Sequence, residues 1–232
     1  MLAAEAIYKK YKHSVLAGVS LNVSEGEIIG IAGENGSGKS TLLSILVTLT
    51  SPDSGKVTMN GNPLTQDILK SSIGYVPQEN ALFDHLTVQD NLRFWAAAYC
   101  KSWKEVIKQL NNLLFLEEAD FLRKKVFQLS GGMKKRLSIA LACLHNPHCL
   151  VMDEPSAALD IGFKHALYEI LQEVKSQGGC VVFTSHQPDE LLWCDRIYVL
   201  HNGVFAFEGK PQELGYDLSS ALYSLYGREV AR

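Results

Sequence analysis

A chain of 232 residues, 47% hydrophobic and 20% charged, is long enough for one sizeable α/β domain, or one domain with a small insertion, and has the mix of an ordinary globular protein. Its net charge of −3 gives no electrostatic case for a nucleic-acid partner, whose footprint would be basic. No run approaches the ~18 consecutive apolar residues of a membrane span, and MLAAEAIYKKYKH lacks the apolar core of a signal peptide, so the expected location is cytoplasmic.

In chain order, EGEIIGIAGENGSGKSTLLSILVTL predicts an apolar strand at 27–32, a glycine-rich turn and a leucine-rich helix. The turn, Gly33 to Ser40, fits the phosphate-loop pattern G-x-x-x-x-G-K-[ST] in the strand-to-helix context that the pattern needs. Glycines let successive backbone N–H groups turn inward around a β-phosphate. Lys39 adds a point charge at the β/γ oxygens, and the Ser40 hydroxyl ligates Mg²⁺. From average residue usage, a chance match in a chain this long is on the order of one per cent, which sets aside an ordinary glycine turn.

GKVTMNG and SIGYVPQ predict short strands bounded by glycine, proline and asparagine, the second ending at Gln78. From Leu82 to Leu122 the spacing turns helical, in LTVQDNLRFWAAAY and KEVIKQLNNLLFLEEADFL, which predicts an inserted helical subdomain. LSGGMKKRLSIA, residues 129–140, follows. Ser130, Gly131 and Gly132 read as a nest of backbone donors just ahead of a helix, suited to an anion such as phosphate. A domain this small then carries two phosphate cradles, and the duplication needs a reason.

Strand texture returns at CLVMDEP, which ends in Asp153 and Glu154. A carboxylate at the carboxyl end of a neighbouring parallel strand is where Mg²⁺ on a loop-bound nucleotide needs support, a role that falls to Asp153. Glu154, one residue on, can reach the water that attacks a γ-phosphate. SAALD, residues 156–160, comes next, then a helix with Phe163, Ala166, Leu167, Ile170, Leu171 and Val174 on one face. CVVFTSH predicts a strand ending at His186, and DRIYVLHNGVFAFEG a hairpin turning at Asn202–Gly203. Residues 211–232 predict a short terminal helix with Leu218, Leu222 and Leu225 on one side, packed on its own domain. Strands alternating with helices predict a mainly parallel sheet covered on both faces. Cys100, Cys143, Cys149, Cys180 and Cys194, odd in number and without a C-x-x-C pair, predict reduced thiols rather than disulfides or a metal site.

Through the phosphate loop, the Gln78 loop, LSGGM, CLVMDEP, SAALD and His186, the chain resembles the ATP-binding cassette (ABC) transporter ATPases, nearly end to end. LSGG after a helical insertion and before an acidic strand is highly specific to that family. The resemblance implies one ABC ATPase domain over 1–232, α/β in class. Its P-loop NTPase (RecA-like) core would occupy 1–78 and 136–210, with a mainly parallel sheet and an N-terminal antiparallel β subdomain. A helical subdomain at 79–135 would end in the signature, and a helical tail would occupy 211–232. ATP contacts are implied for Gly33, Glu34, Asn35, Gly36, Ser37, Gly38, Lys39, Ser40 and Thr41, and Mg²⁺ contacts for Ser40, Gln78 and Asp153. Gln78 would sense the metal and the attacking water, Glu154 act as general base, and His186 contact the γ-phosphate. Tyr11 or Tyr8 would stack on adenine, and Asp160 would communicate across a dimer. Ala158 departs from the family, where glycine is commoner at that place.

The resemblance also answers the duplication. In this family two cassettes pack head to tail, and the signature of one, here Leu129, Ser130, Gly131 and Gly132, caps the nucleotide held by the other's loop. Two cradles per chain give two composite sites per two-fold dimer. The implied partners are ATP, a second cassette (identical or different) and separate transmembrane permease subunits, with the chain peripheral on the cytoplasmic face of the cell membrane. VPQENALFDHLTVQDNLRFWAAAY and LSGGMKKRL resemble two-gene type-2 systems, so the expected work is export. An importer ATPase is one alternative, and a non-transport ABC-type ATPase the other. Non-transport ABC-type ATPases, with long coiled coils or two fused cassettes, fit neither the length nor the pattern.

Overall fold

A computed structural model describes residues 2–114, 120–157, 159–215 and 217–227. Ala158, residues 115–119 of the expected helical insertion, and residues 216 and 228–232 of the expected tail lie outside these.

The chain opens with β1 (Leu2–Lys10) and β2 (Ser14–Val23), then β3 (Ile28–Gly33), α1 (Lys39–Leu46), β4 (Ser54–Met59) and the short β5 (Asn62–Pro63). Next come α2 (Gln66–Ser72) and β6 (Ile73–Val76), followed by α3 (Val88–Ala98), α4 (Trp103–Leu114) and α5 (Gly131–Cys143). The sequence continues through β7 (Cys149–Met152), α6 (Ile161–Ser176), β8 (Cys180–Thr184), α7 (Pro188–Leu191), β9 (Arg196–His201), β10 (Val204–Gly209) and α8 (Leu218–Tyr226).

Two sheets result. One is antiparallel, in the order β2-β1-β4-β5. The other runs β10-β9-β3-β8-β7-β6, parallel from β9 to β6 with β10 antiparallel at its edge. β3, β7 and β8 are buried along their whole length, the expected state of parallel strands covered on both faces. Their side chains alternate between two cores, as a period of two requires. Ile29, Ile31, Cys149, Val151, Cys180 and Val182 join α1 and the antiparallel sheet. Ile28, Leu150, Met152, Val181 and Phe183 face the other way, against Phe163, Leu167, Ile170 and Leu171 of α6. Leu218 and Leu222 of α8 pack into this second core.

A third cluster lies in the helical stretch, where Val88, Leu92, Ala96 and Val106 meet one face of α5 at Leu137, Ala140 and Leu141, and Leu144 just beyond its end. The opposite face of α5, at Ile139, Ala142 and Cys143, belongs to the second core. One helix is therefore built into two cores. α3 starts at a capping box, since the Thr87 hydroxyl accepts from Asp90 N and the Asp90 carboxylate accepts from Thr87 N. The β9–β10 hairpin turns at Asn202 (φ 48°) and Gly203 (φ 77°), the paired left-handed conformations of a type I′ turn. Among the described residues no cysteine forms a disulfide, and only Cys100 is exposed.

Two extents differ from the sequence expectation. β6 stops at Val76 and β8 at Thr184, so Gln78 and His186 each sit two residues beyond their strand, in loops. Pro77 has no N–H to extend a sheet ladder, and Ser185 and His186 run on as polar residues after the buried CVVFT.

Packing of α5 on the sheet depends on a missing side chain. A Cβ on Gly74 of β6 would lie 2.4 Å from the Ala142 carbonyl oxygen of α5. Gly74→Ala should destabilise the protein by about 1–3 kcal/mol, because a backbone atom must move. Gly162→Ala near the start of α6 meets nothing closer than 3.4 Å and should be neutral or stabilising by about 0.5 kcal/mol. Urea midpoints of the two variants check both signs.

Candidate functional site

The four neighbouring parallel strands β3, β8, β7 and β6 end on the same side of the sheet, and each releases one of the predicted segments there. β3 leads into Gly33 to Ser40, β8 into His186, β7 into Asp153 and Glu154, and β6 into Gln78. The carboxyl edge of a parallel sheet is where α/β folds hold ligands. A cleft of about 470 Å³ opens there, lined among others by Asn35, Gly36, Gly38, Lys39, Ser40 and Thr41. Gln78, Glu154 and His186 complete its far wall, with Val15 on the side of the antiparallel sheet.

The loop is held open by its own backbone. Gly38 caps α1 with φ 108° and no side-chain hydrogen bond, which leaves the N-terminal amides of α1 without a competing side-chain oxygen. A Cβ on Gly38 would press on the Val15 oxygen at 3.0 Å, and one on Gly33 would lie 2.5 Å from the Leu200 oxygen. Ser37 Oγ is buried with no hydrogen-bond partner among the described residues. Lys39 is buried and turns back on its loop, where Nζ donates to the carbonyls of Gly33 (2.8 Å) and Glu34 (3.0 Å). Burial lowers the pKa of this ammonium, opposed by the charges of Glu154 and Asp153. An uncapped helix start, a buried cation and an unpartnered hydroxyl together fit a phosphate chain.

Asp153 and Glu154 are fixed by one side chain that the sequence reading did not single out. Thr184 Oγ1 donates to Asp153 Oδ1 at 2.6 Å and accepts from Glu154 N at 2.8 Å. Asp153 N donates to Val76 O at 2.8 Å, a tie to the next strand. Glu154 has a positive φ of 45°, and its Oε1 lies 3.6 Å from His186 Nδ1.

The loops beyond are joined by a buried carboxylate. Glu190 Oε2 accepts from Ser156 Oγ and Ser185 Oγ, both at 2.6 Å, and Oε1 lies 3.0 Å from Lys164 Nζ. Ser156 belongs to the segment after the acidic pair, and Ser185 immediately precedes His186. Asp160 caps α6 through Phe163 N (2.9 Å) and receives Arg136 at 2.8 Å. The Phe163 N–H, with Arg136 behind it, holds this carboxyl below its ordinary range.

The signature residues stand apart. None of Leu129, Ser130, Gly131 and Gly132 lines the cleft. Ser130 caps α5 by accepting from Met133 N at 3.2 Å, and the two glycines lie inside the first turn of the helix rather than ahead of it. Ser130 and Gly131 are exposed. Farther along α5, Lys135 is buried and donates to the carbonyls of Pro77 (3.0 Å) and Gln78 (2.8 Å). Its spacing of four and seven from Ile139 and Ala142, which face the core, was the available signal. Tyr11 is 58% exposed at the β1–β2 turn, whereas the Tyr8 hydroxyl lies 2.7 Å from where a Gly18 Cβ would be. Neither ring lines the cleft.

Comparison with known proteins shows the family. Residues 16–157 match the family described as ABC transporter. The linearmycin resistance ATP-binding protein LnrL of Bacillus subtilis is 35% identical over 92% of this chain and 70% of its own length. The Nod factor export ATP-binding protein I of Rhizobium etli is 36% identical over 87% of this chain and 65% of its own length. The chain thus spans about two thirds of both relatives. A dimeric ATP-binding cassette solved in a post-hydrolysis state with ADP and Pi superposes with a TM-score of 0.82, at 32% identity over 90% of this chain and 98% of that one. A family match that runs from the first hairpin through the phosphate loop to the acidic strand leads to one conclusion: this chain belongs to the ABC transporter family, as an ATP-binding ATPase cassette.

Proposed function

We propose that this chain is the ATP-hydrolysing subunit of an exporter, one of two cassettes that close over two ATP molecules to drive separate membrane subunits. The observation that carries the reading is the cleft in which Lys39, Ser40, Gln78, Glu154 and His186 meet while Leu129 to Gly132 stay outside. A phosphate cradle without its signature needs a second chain to supply one, and a dimeric relative bound to ADP and Pi supports that arrangement.

In this reading Lys39 exchanges the carbonyls of Gly33 and Glu34 for β/γ-phosphate oxygens, and the α1 amides receive the β-phosphate. Ser40, Gln78 and Asp153 are hard oxygen donors suited to Mg²⁺, which would neutralise charge on the β and γ oxygens. Glu154 orients a water and takes its proton as the oxygen attacks the γ-phosphorus, while the bond to ADP breaks. His186, beside Glu154, donates to the γ-phosphate. Tyr11 stacks on adenine, because Tyr8 is already packed on Gly18. Ser130, Gly131 and Gly132 grip the γ-phosphate of the other cassette, so ATP closes the pair and ADP, lacking that group, lets it open. Asp160 carries contact between the two.

Among the described residues no helix is long and apolar enough to cross a membrane. An apolar groove of about 450 Å³ runs beside the Gln78 loop, lined among others by Val47, Leu49, Leu69, Ala81, Leu82 and Trp95. It is suited to a short helix from a membrane permease, which would hold the chain on the cytoplasmic face of the membrane. Relatives named for Nod factor export and linearmycin resistance favour export over import.

Glu154→Gln should bind ATP like the parent but lose about 10²–10⁴-fold in turnover, trapping a nucleotide-sandwiched dimer. Parent-like hydrolysis would refute the base assignment. Lys39→Ala should instead weaken ATP binding itself, by about tenfold or more, read by equilibrium titration.

A mixing experiment addresses the signature. Gly132→Asp puts a carboxylate where a γ-phosphate must sit, and Lys39→Ala damages the cradle. Each homodimer then has two broken sites, whereas the mixed dimer has one intact site. ATPase activity should rise on mixing the two variants, above either alone. No rise in demonstrated heterodimers would mean that the signature does not act across chains.

A further inference from the structure

The basic triplet of LSGGMKKRL reaches three separate loops from one helix. Lys134 pairs with Asp84, Arg136 with Asp160, and Lys135 with the Pro77 and Gln78 carbonyls. The Lys134–Asp84 and Arg136–Asp160 pairs are partly exposed and screened by water. Lys135 differs. It is 4% exposed, a burial that lysine rarely tolerates unless paired.

Its acceptors explain the choice of residue. The strand ends at Val76, so the Pro77 and Gln78 carbonyls lie beyond the sheet ladder and take an outside donor, the Lys135 ammonium. An ammonium offers three donors on a flexible stem and can serve two consecutive carbonyls at once. Burial lowers the Lys135 pKa, while Asp153 and Glu154 favour its charged form. The beam that carries it is stiff, since α5 is packed into two cores. Ser130, at the cap of the same helix, lies five residues away, about 7.5 Å along the axis.

We propose that Lys135 is a positioning residue that fixes the Gln78 loop of one nucleotide site to the helix whose cap grips the nucleotide of the other. It touches no substrate and acts through Gln78. The assignment rests on the two-cassette reading above. Displacement of the signature helix in one composite site then moves a metal-sensing loop in the other, through a link one side chain long.

The test compares Lys135→Met, which keeps the stem and removes the donors, with Lys135→Arg, which keeps charge and donors. For Lys135→Met, a fluorescent ATP analogue should bind within about threefold of the parent, while kcat falls about ten- to a hundredfold through a misplaced Gln78. Lys135→Arg should recover most of that loss. Should Lys135→Met fail to fold, Lys135→Gln, which retains one amide donor, carries the same comparison and should be intermediate. Parent-like kcat in Lys135→Met, an equal loss of binding and turnover, or no recovery with arginine would overturn the proposal. Glu154→Gln run in parallel separates the two levels. If it hydrolyses ATP normally, the reading of the site falls; if it is inactive while Lys135→Met is parent-like, the link alone falls.

Discussion

The arrangement of the site depends on one buried hydroxyl. Thr184, fully buried at the end of β8, donates a hydrogen bond to Asp153 and accepts one from the Glu154 backbone N–H. It thereby joins two strands at the point where both release their polar residues. A valine of nearly the same shape would leave a buried carboxylate oxygen and a backbone N–H without partners, at a cost of about 1–3 kcal/mol each. The bond falls on the backbone N–H of Glu154, whose φ is positive. The carboxylate pair is therefore set by its neighbour strand, not by its own.

The charges around the cleft are arranged to balance. Lys39 and Lys135 approach Asp153 and Glu154 from different sides, and each lysine is almost fully buried. Burial works against both ammoniums, and the two carboxylates offset part of it. A polyanion entering beside Lys39 adds to the side of the carboxylates and strengthens the charged form of both lysines.

Much of this was legible in the sequence because it followed from residue type at fixed spacing. The phosphate loop, the α6 stripe from Phe163 to Val174 and the Asn202–Gly203 turn each carry their reason locally. The roles of Gln78 and His186, and the action of the signature across chains, rest on order and resemblance. What stayed hidden depends on packing between distant segments. The first hairpin has a left-handed Ala6 and shifted registers that blur its alternation. α2 buries no residue and so leaves no stripe. Lys135 sits in a run of three basic residues whose burial only the packed helix reveals, and Glu190 gains its meaning from serines that precede it by 34 and 5 positions. Polar residues at strand ends also read as continuations of the strand, so the sequence puts Gln78 and His186 two residues nearer the sheet than the fold does.

The sharing of α5 between two cores has a consequence for how the molecule opens. A helical insertion with its own core could breathe as a separate unit, exposing its amides while the sheet stayed closed. Here Leu137 and Leu141 belong to the insertion, and Ile139 and Ala142 to the sheet. Pulling α3 and α4 away strips one side of α5 but leaves the other anchored. Hydrogen exchange along that helix would then follow the slow global unfolding of the sheet, while α3 and α4 exchange faster. The helix at the base of the insertion therefore cannot melt before the nucleotide fold does.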